Sequence, residues 1–441
     1  MKKNFSRRQL FGEGFGLLSA ATLLPLSGLL QAEPSAPPKR LLTVFLKGGW
    51  DSLLATDPVL GAKLSSPAFE AAYASEPSLA ITGKPQLWIG PGLQPLKAIF
   101  ASVPTAFING MFVEVSAHEI AYNYMLSARL SLSRSREYPS LAALLGDQGG
   151  KYPPHIVLGS SIPLGATRSS SPPLQASSID AMSQLLRGPG RASWNNYKTE
   201  VLPNAHELLE GLDQLSYQRL TLAQQQGLEG WRQAQSGLAQ LYKSDLGSQL
   251  KLTAAIKQKF AVGEAGDLEG QLAGAFLALA SGISPYITVV PPGNFDTHSH
   301  HMSQHKALLL KTAQALAILV EQMRTTPDPA DQSRSLLEST TVLITSEFVR
   351  TPKFNAAQGT DHWQSASAIL LGAGVEDGVV LGATGTDGMP LGWVAGQSMT
   401  RTSGNALLPS QIGAALLHYF KQPTLAQAIS DQPLIGLFKG V

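Results

Sequence analysis

Six short apolar runs punctuate this chain of 441 residues. They are Leu41–Leu46, Thr105–Ile108, Ile156–Leu158, Tyr286–Val290, Thr341–Ser346 and Ala368–Leu371. Each is too short for a buried helix, is rich in β-branched or aromatic residues, and reads as a buried strand. Between them lie stretches with helical spacing, such as Leu93–Phe100. Strands that alternate with helices predict an α/β fold: a three-layer, mostly parallel sheet with helices on both faces. Residues 166–200 are rich in Ser, Pro, Gly and Arg and predict a loop or lid. Residues 203–260 place leucines from Leu208 to Leu241 at helical spacing and predict a helical hairpin, its Gln224–Gln226 run facing solvent. The expectation is a single domain over residues 33–441, with an insertion at about 166–260.

The polar residues that follow the strands carry the candidate chemistry. On a mostly parallel sheet, ligands gather at the carboxyl ends of the strands. After Tyr286–Val290 come Asp296, His298, His300, His301 and His305, so four of the nine histidines fall within eight residues. After Thr341–Ser346 come Glu347, Phe348 and Arg350. Gly359-Thr360-Asp361-His362-Trp363 precedes the next run. Carboxylates and imidazoles at neighbouring strand ends are the donor set of one or two divalent ions, and the mixture suits Zn, Mn or Fe better than Ca. The chain has no cysteine, which excludes thiolate ligands, thiol catalysis and disulfides. Gly372-Ala373-Gly374 and Gly382–Gly385 lack the phosphate-loop and dinucleotide patterns and read as turns. Trp50, Asn355 and Trp363 are candidates to line a pocket.

The amino terminus changes the setting. Ser6-Arg7-Arg8-Gln9-Leu10-Phe11 follows Lys2 and Lys3, and an uncharged apolar stretch runs from Gly14 to Leu30. That order predicts a twin-arginine signal over residues 1–32, with Arg7 and Arg8 read by the translocation machinery and cleavage after Ala32. The expected destination is the periplasm or the exterior, with no stable membrane insertion after cleavage. Of 33 basic and 31 acidic residues, the signal takes four basic and one acidic. The mature chain is then nearly neutral, which argues against a nucleic-acid partner.

Several motifs together resemble one family. They are Gly48-Gly49-Trp50-Asp51, Gly92–Lys97, Ser116-Ala117-His118, Phe295-Asp296-Thr297-His298, Ser346-Glu347-Phe348 with Arg350, and Gly359-Thr360-Asp361-His362. In order and spacing the chain is similar to the exported bacterial family known as domain of unknown function 1501, which is placed in the alkaline phosphatase-like superfamily. The resemblance implies that fold and a site with two divalent ions that clamp a phosphoryl or sulfuryl group. It implies Asp51, Asp296, His298, Glu347, Asp361 and His362 as ligands, with His300 as second choice to His298. It implies Ser116 as the attacking hydroxyl. His118 and Arg350 complete the catalytic candidates, Arg350 as a bidentate partner for an oxyanion or else a surface arginine beside Pro352.

Two departures qualify that picture. The superfamily pairs Asp with His where this chain has Glu347 and Phe348, so one imidazole ligand is missing unless His118, His300 or His305 supplies it. Ser116 also opens Ser116-Ala117-His118-Glu119, a capping-box pattern that needs no catalysis. A formylglycine nucleophile is excluded, since no motif for making one follows Asp51. The expected function is hydrolysis of phosphate or sulfate esters of a small molecule or glycan. The alternative is an inactive descendant that binds metal, a glycan or a protein.

Overall fold

Alternating side chains on the central strands send every second residue to opposite faces, and the computed structural model builds its two cores that way. It describes residues 39–58, 67–74, 78–132, 138–148, 153, 155–160, 173–187, 246–393 and 405–441. Eight strands form the main sheet: β1 (Arg40–Phe45), β2 (Thr105–Phe112), β3 (Ile156–Gly159), β4 (Leu174–Ala176), β5 (Tyr286–Val290), β6 (Thr340–Thr345), β7 (Ser365–Gly372) and β8 (Val379–Leu381). Their order is β8-β2-β7-β6-β1-β5-β3-β4. Every adjacent pair is parallel except those made by β7, which runs antiparallel between β6 and β2. The sheet is thus mixed, and the fold is α/β.

Leu42 and Val44 of β1, Ile287 and Val289 of β5, and Val342 and Ile344 of β6 enter one core. They meet the helices Leu268–Ala280 and His301–Thr325 there. Leu41, Phe45, Val290 and Leu343 enter the other core, against the helices His118–Ser127 and Pro409–Tyr419. Both faces of the central strands are covered, which is what near-continuous apolar strands require. The 25-residue helix His301–Thr325 buries Leu309, Ala313, Leu316, Val320 and Met323, and its first turn carries histidines to the sheet's edge.

The loop expected over residues 166–200 is corrected where it is described. Leu174–Ala176 pairs in parallel with β3 as the sheet's last strand, and Ile179–Arg187 is a helix that buries Ile179, Met182 and Leu186. The apolar spacing of that helix was hidden by the Ser- and Pro-rich composition around it. Of the rest of the insertion expected to residue 260, residues 166–172 and 188–245 lie outside the described residues, as does the signal segment with Arg7 and Arg8, while its end holds the helices Leu246–Gln249 and Ala254–Phe260. Among the described residues, no helix is long and apolar enough to cross a membrane.

Candidate metal centre

Close backbone contacts draw the ends of β1, β5 and β6 together. Gly48 lies at φ +113°, and a Cβ there would sit 2.4 Å from the Asp296 nitrogen, so only glycine lets the two turns meet. Gly48 N–H donates to Glu347 Oε1 at 2.7 Å, while Gly49 and Trp50 N–H both donate to Ser346 Oγ. Phe295 N–H donates to Lys47 O, and Thr360 N–H to Thr297 O. Gly359 packs so tightly on His298 that a Cβ would fall 1.9 Å from its carbonyl carbon. The GGWD turn, the Asp296 segment and the Asp361 segment are therefore one assembly.

Asp296 is its centre. Oδ1 lies 2.6 Å from Arg350 Nη1 and 2.9 Å from both His298 Nε2 and His362 Nε2. Oδ2 lies 3.3 Å from His118 Nε2. His298 Nε2 and His362 Nε2 are 3.2 Å apart. The opposite nitrogen of each ring has an oxygen behind it: His118 Nδ1 meets Glu347 Oε1 at 2.7 Å, His298 Nδ1 meets Asp361 Oδ1 at 2.9 Å, and His362 Nδ1 meets the Ser116 carbonyl at 2.8 Å. Each ring thus lies between oxygens that only accept, Asp296 on the Nε2 side and a brace on the Nδ1 side; a neutral ring with its proton on Nδ1 offers a lone pair at Nε2, and the other tautomer donates to Asp296. With the protons on Nδ1, three lone pairs and a carboxylate face one another, the donor set a cation needs. Among the described residues, His118, Asp296 and His362 form the group whose ligand atoms all lie within 4.8 Å, and His298 touches two of them.

Electrostatics follow from this crowding. Burial alone would raise the Asp296 carboxyl, but hydrogen bonds from Arg350 and then His362 overcome it and hold the group down at about 2. Burial alone would lower His118, but the Glu347 and Asp296 carboxylates outweigh it and push the imidazole up. Asp361 is held below the usual carboxylate range because His298 and Asn355 outweigh its partial desolvation.

The remaining candidates are distributed behind this cluster or away from it. Glu347 is fully buried and braces His118. Arg350 is buried too: Nη1 also donates to Gly48 O at 3.1 Å, Nε to Thr360 Oγ1 at 3.1 Å, and Nη2 to Thr360 O. It is neither a surface arginine nor open to an incoming oxyanion, and it holds Asp296. The Asp51 side chain turns elsewhere, accepting from Leu53 N–H and meeting His301 Nε2 at 2.8 Å and the Tyr73 hydroxyl. His300 is exposed, in a left-handed conformation at φ 47° before the first helical turn, and takes no part in the cluster. Ser116 is half-buried and gives its carbonyl to His362. The expected capping box does not form, because the N-cap is Ala117 and no side chain caps it. Phe348, at the position of the expected histidine, packs its ring 4.5 Å from His362 and 5.0 Å from His118. Asn355 donates to Asp361 Oδ1 and His298 O, whereas Trp50 is core and donates to Ser367.

Four buried residues that join this assembly carried no assignment: Thr297, Thr360, His301 and Tyr122. His301 and His305 lie four apart on one helical face, a spacing visible in the sequence once the helix start is known. The Tyr122 hydroxyl is buried without a hydrogen-bond partner, its ring 5.8 Å from that of His118. Burial first, then the Glu347 carboxylate, pushes its phenol up.

Residues 38–391 match the model of a family described as protein of unknown function (DUF1501). No curated protein matches the chain. The match spans most of the chain and takes in every member of the Asp296 assembly; the protein belongs to the DUF1501 family.

Proposed function

We propose that this protein is an exported, divalent-metal-dependent hydrolase of phosphate or sulfate esters, with an alkaline phosphatase-like fold. The observation that carries the metal is the convergence of His118, His298 and His362 Nε2 on Asp296, each ring braced from behind by an oxygen. With their protons on Nδ1, His298 and His362 would present lone pairs 3.2 Å apart to a cation, and braced imidazoles are the usual surroundings of a bound metal. The donor set fits Zn, Mn or Fe, and its nitrogens make a poor calcium cage. A bound ion would supply Lewis acidity toward an ester oxygen and acidify water.

The chain's own residues supply the rest. Glu347, Asp361 and the Ser116 carbonyl orient the three rings, and Arg350 fixes Asp296. The Ser116 hydroxyl, beside the His362 brace and uncommitted among the described residues, is the nucleophile candidate. Two observations favour a second reading, a metal-dependent binding protein without turnover: Arg350 has no free edge for an oxyanion, and Phe348 replaces a donor.

Metal analysis of purified mature protein, then a panel of phosphate and sulfate esters with and without chelator, separates these readings. Chelator-sensitive turnover that Ser116→Ala abolishes at unchanged metal content supports the hydrolase and its nucleophile. Metal-replete protein inert across the panel supports the binding protein, and protein that takes up no divalent ion overturns both. Export by the twin-arginine machinery predicts that a double Arg7→Lys, Arg8→Lys variant stays in the cytoplasm as precursor. Undiminished export of that variant rejects this route.

A further inference from the structure

Behind Asp296 lies a second polar layer, formed by Asp51, Thr297, His301, His305 and Thr360, all buried. Its hydrogen bonds have one consistent direction. The Asp51 amide can only donate, and it points at His305 Nε2 at 2.8 Å, so that nitrogen accepts. His305 therefore carries its proton on Nδ1 and donates to Thr297 Oγ1 at 2.9 Å. The single Thr297 hydroxyl proton has His301 Nδ1 at 2.7 Å, against a poor alternative in Phe295 O at 3.5 Å. His301 Nδ1 thus accepts, and Nε2–H donates to Asp51 Oδ2 at 2.8 Å. The path begins on the Asp51 amide and returns to the Asp51 carboxylate. Thr360 accepts from Arg350 Nε, and its hydroxyl lies 3.0 Å from His301 Nδ1, where it shares the single lone pair with the closer Thr297.

We infer that His301 and His305 are positioning residues, closing a one-directional hydrogen-bond ring with Asp51 and Thr297 that holds Thr360, and through it Arg350 and Asp296, in register for a metal. The inference rests on the metal reading above for its purpose but not for its geometry. Reversing any member would leave a buried donor facing a donor, or a lone pair facing a lone pair. Burial first, then the neighbouring His301 and Arg350, keeps His305 well below the usual imidazole range, in keeping with its neutral form here. The ring contains two imidazoles that touch neither the three converging nitrogens nor Asp296, so their contribution is to alignment.

Two measurements test this. In metal-free protein labelled with 15N histidine, long-range 15N–1H spectra should show His305 protonated on Nδ1 and His301 on Nε2; the opposite tautomer at either residue overturns the ring. Next, Thr297→Val removes the hydroxyl at nearly constant shape, and Thr297→Ser keeps it. Zinc titration of the folded fraction should show affinity about 10- to 100-fold weaker for Thr297→Val, with restoration by Thr297→Ser. Wild-type zinc affinity in folded Thr297→Val would reduce the ring to a structural contact and overturn the positioning role. If wild-type protein binds no zinc or other divalent ion, the metal reading fails on its own, and the tautomers alone decide whether the ring exists.

Discussion

The two ends of strand β1 handle buried charge in opposite ways. At its start, Arg40 Nη1 and Nη2 reach Asp328 Oδ2 and Oδ1 at 2.5 and 2.8 Å, Nη1 also reaches Ser339 Oγ, and Ala330 N–H caps the same carboxylate. One cation meets one anion, donors meet acceptors, and both side chains are buried. Beyond the strand's other end, one carboxylate faces an arginine and three imidazole nitrogens, each ring with a second oxygen behind it. More donors and acceptors converge there than one ion pair needs. The first arrangement is complete as it stands and reads as scaffold. The second offers several nitrogen and oxygen donors to one point, which is what makes it the candidate site.

The largest expected effect lies at the scaffold end. Asp328→Asn or Arg40→Met leaves one buried partner uncompensated and should cost about 3–5 kcal/mol in urea unfolding, with zinc bound per folded molecule unchanged. The pair also sets an acid limit. Burial alone would raise the Asp328 carboxyl, but its bonds to Arg40 and Ser339 prevail and lower it. A depressed folded-state value means that the contribution is present above the unfolded aspartate value of about 4 and is lost as pH falls through the folded value. Asp328→Asn should therefore flatten the stability curve below about pH 4. Loss of zinc in the folded variant would show that the two ends are not independent.

Next in size is the removal of a converging nitrogen. His362→Ala should weaken zinc binding at least about 100-fold, or about 2.7 kcal/mol, and shrink the zinc-induced rise in Tm accordingly by linkage. Metal-free stability should change far less than in Asp328→Asn. Equal zinc affinity for His362→Ala and wild type would reject the site.

How much of this was legible depends on distance along the chain. The strand Tyr286–Val290 was readable to the residue, because a run of aromatic and β-branched residues is bounded by turn formers. The grouping of Asp296, His298 and His362 was readable because strand ends on one sheet meet at one edge. The antiparallel course of β7 was not, since a buried strand has the same pattern in either direction. Nor was the division of labour among the histidines. In the run from His298 to His305, which imidazole faces the cluster depends on where the helix begins. It begins at His301, which sends His301 and His305 inward and leaves His300 at a solvent-exposed cap. Ser116 shows the same sensitivity, since the helix starts one residue later than the capping box requires.

A smaller effect should separate the braces from the converging groups. Glu347→Gln preserves an oxygen for the Gly48 amide and His118 Nδ1 but removes the charge behind the ring. Zinc affinity should fall about tenfold, at the low end for residues that orient a ligand, with the pH at which zinc is half released moving by less than in His362→Ala. A loss as large as that of His362→Ala would make Glu347 itself a ligand.

The smallest effect should come from His300, and it tests the choice between neighbouring histidines directly. Its side chain is exposed and its φ is 47°, a region that costs an L-residue roughly 1 kcal/mol or more and glycine much less. His300→Ala should leave zinc affinity unchanged and shift stability by less than about 0.5 kcal/mol. His300→Gly should be neutral or slightly stabilising, because relief of the left-handed backbone offsets the added freedom of the unfolded chain. His298→Ala, two residues earlier, removes a nitrogen 2.9 Å from Asp296 and should lower zinc affinity toward the level of His362→Ala. A His300→Ala protein that loses zinc while His298→Ala keeps it would reverse the assignment. It would also mean that the helix begins elsewhere when metal is bound, since at its present cap His300 is exposed and outside the cluster.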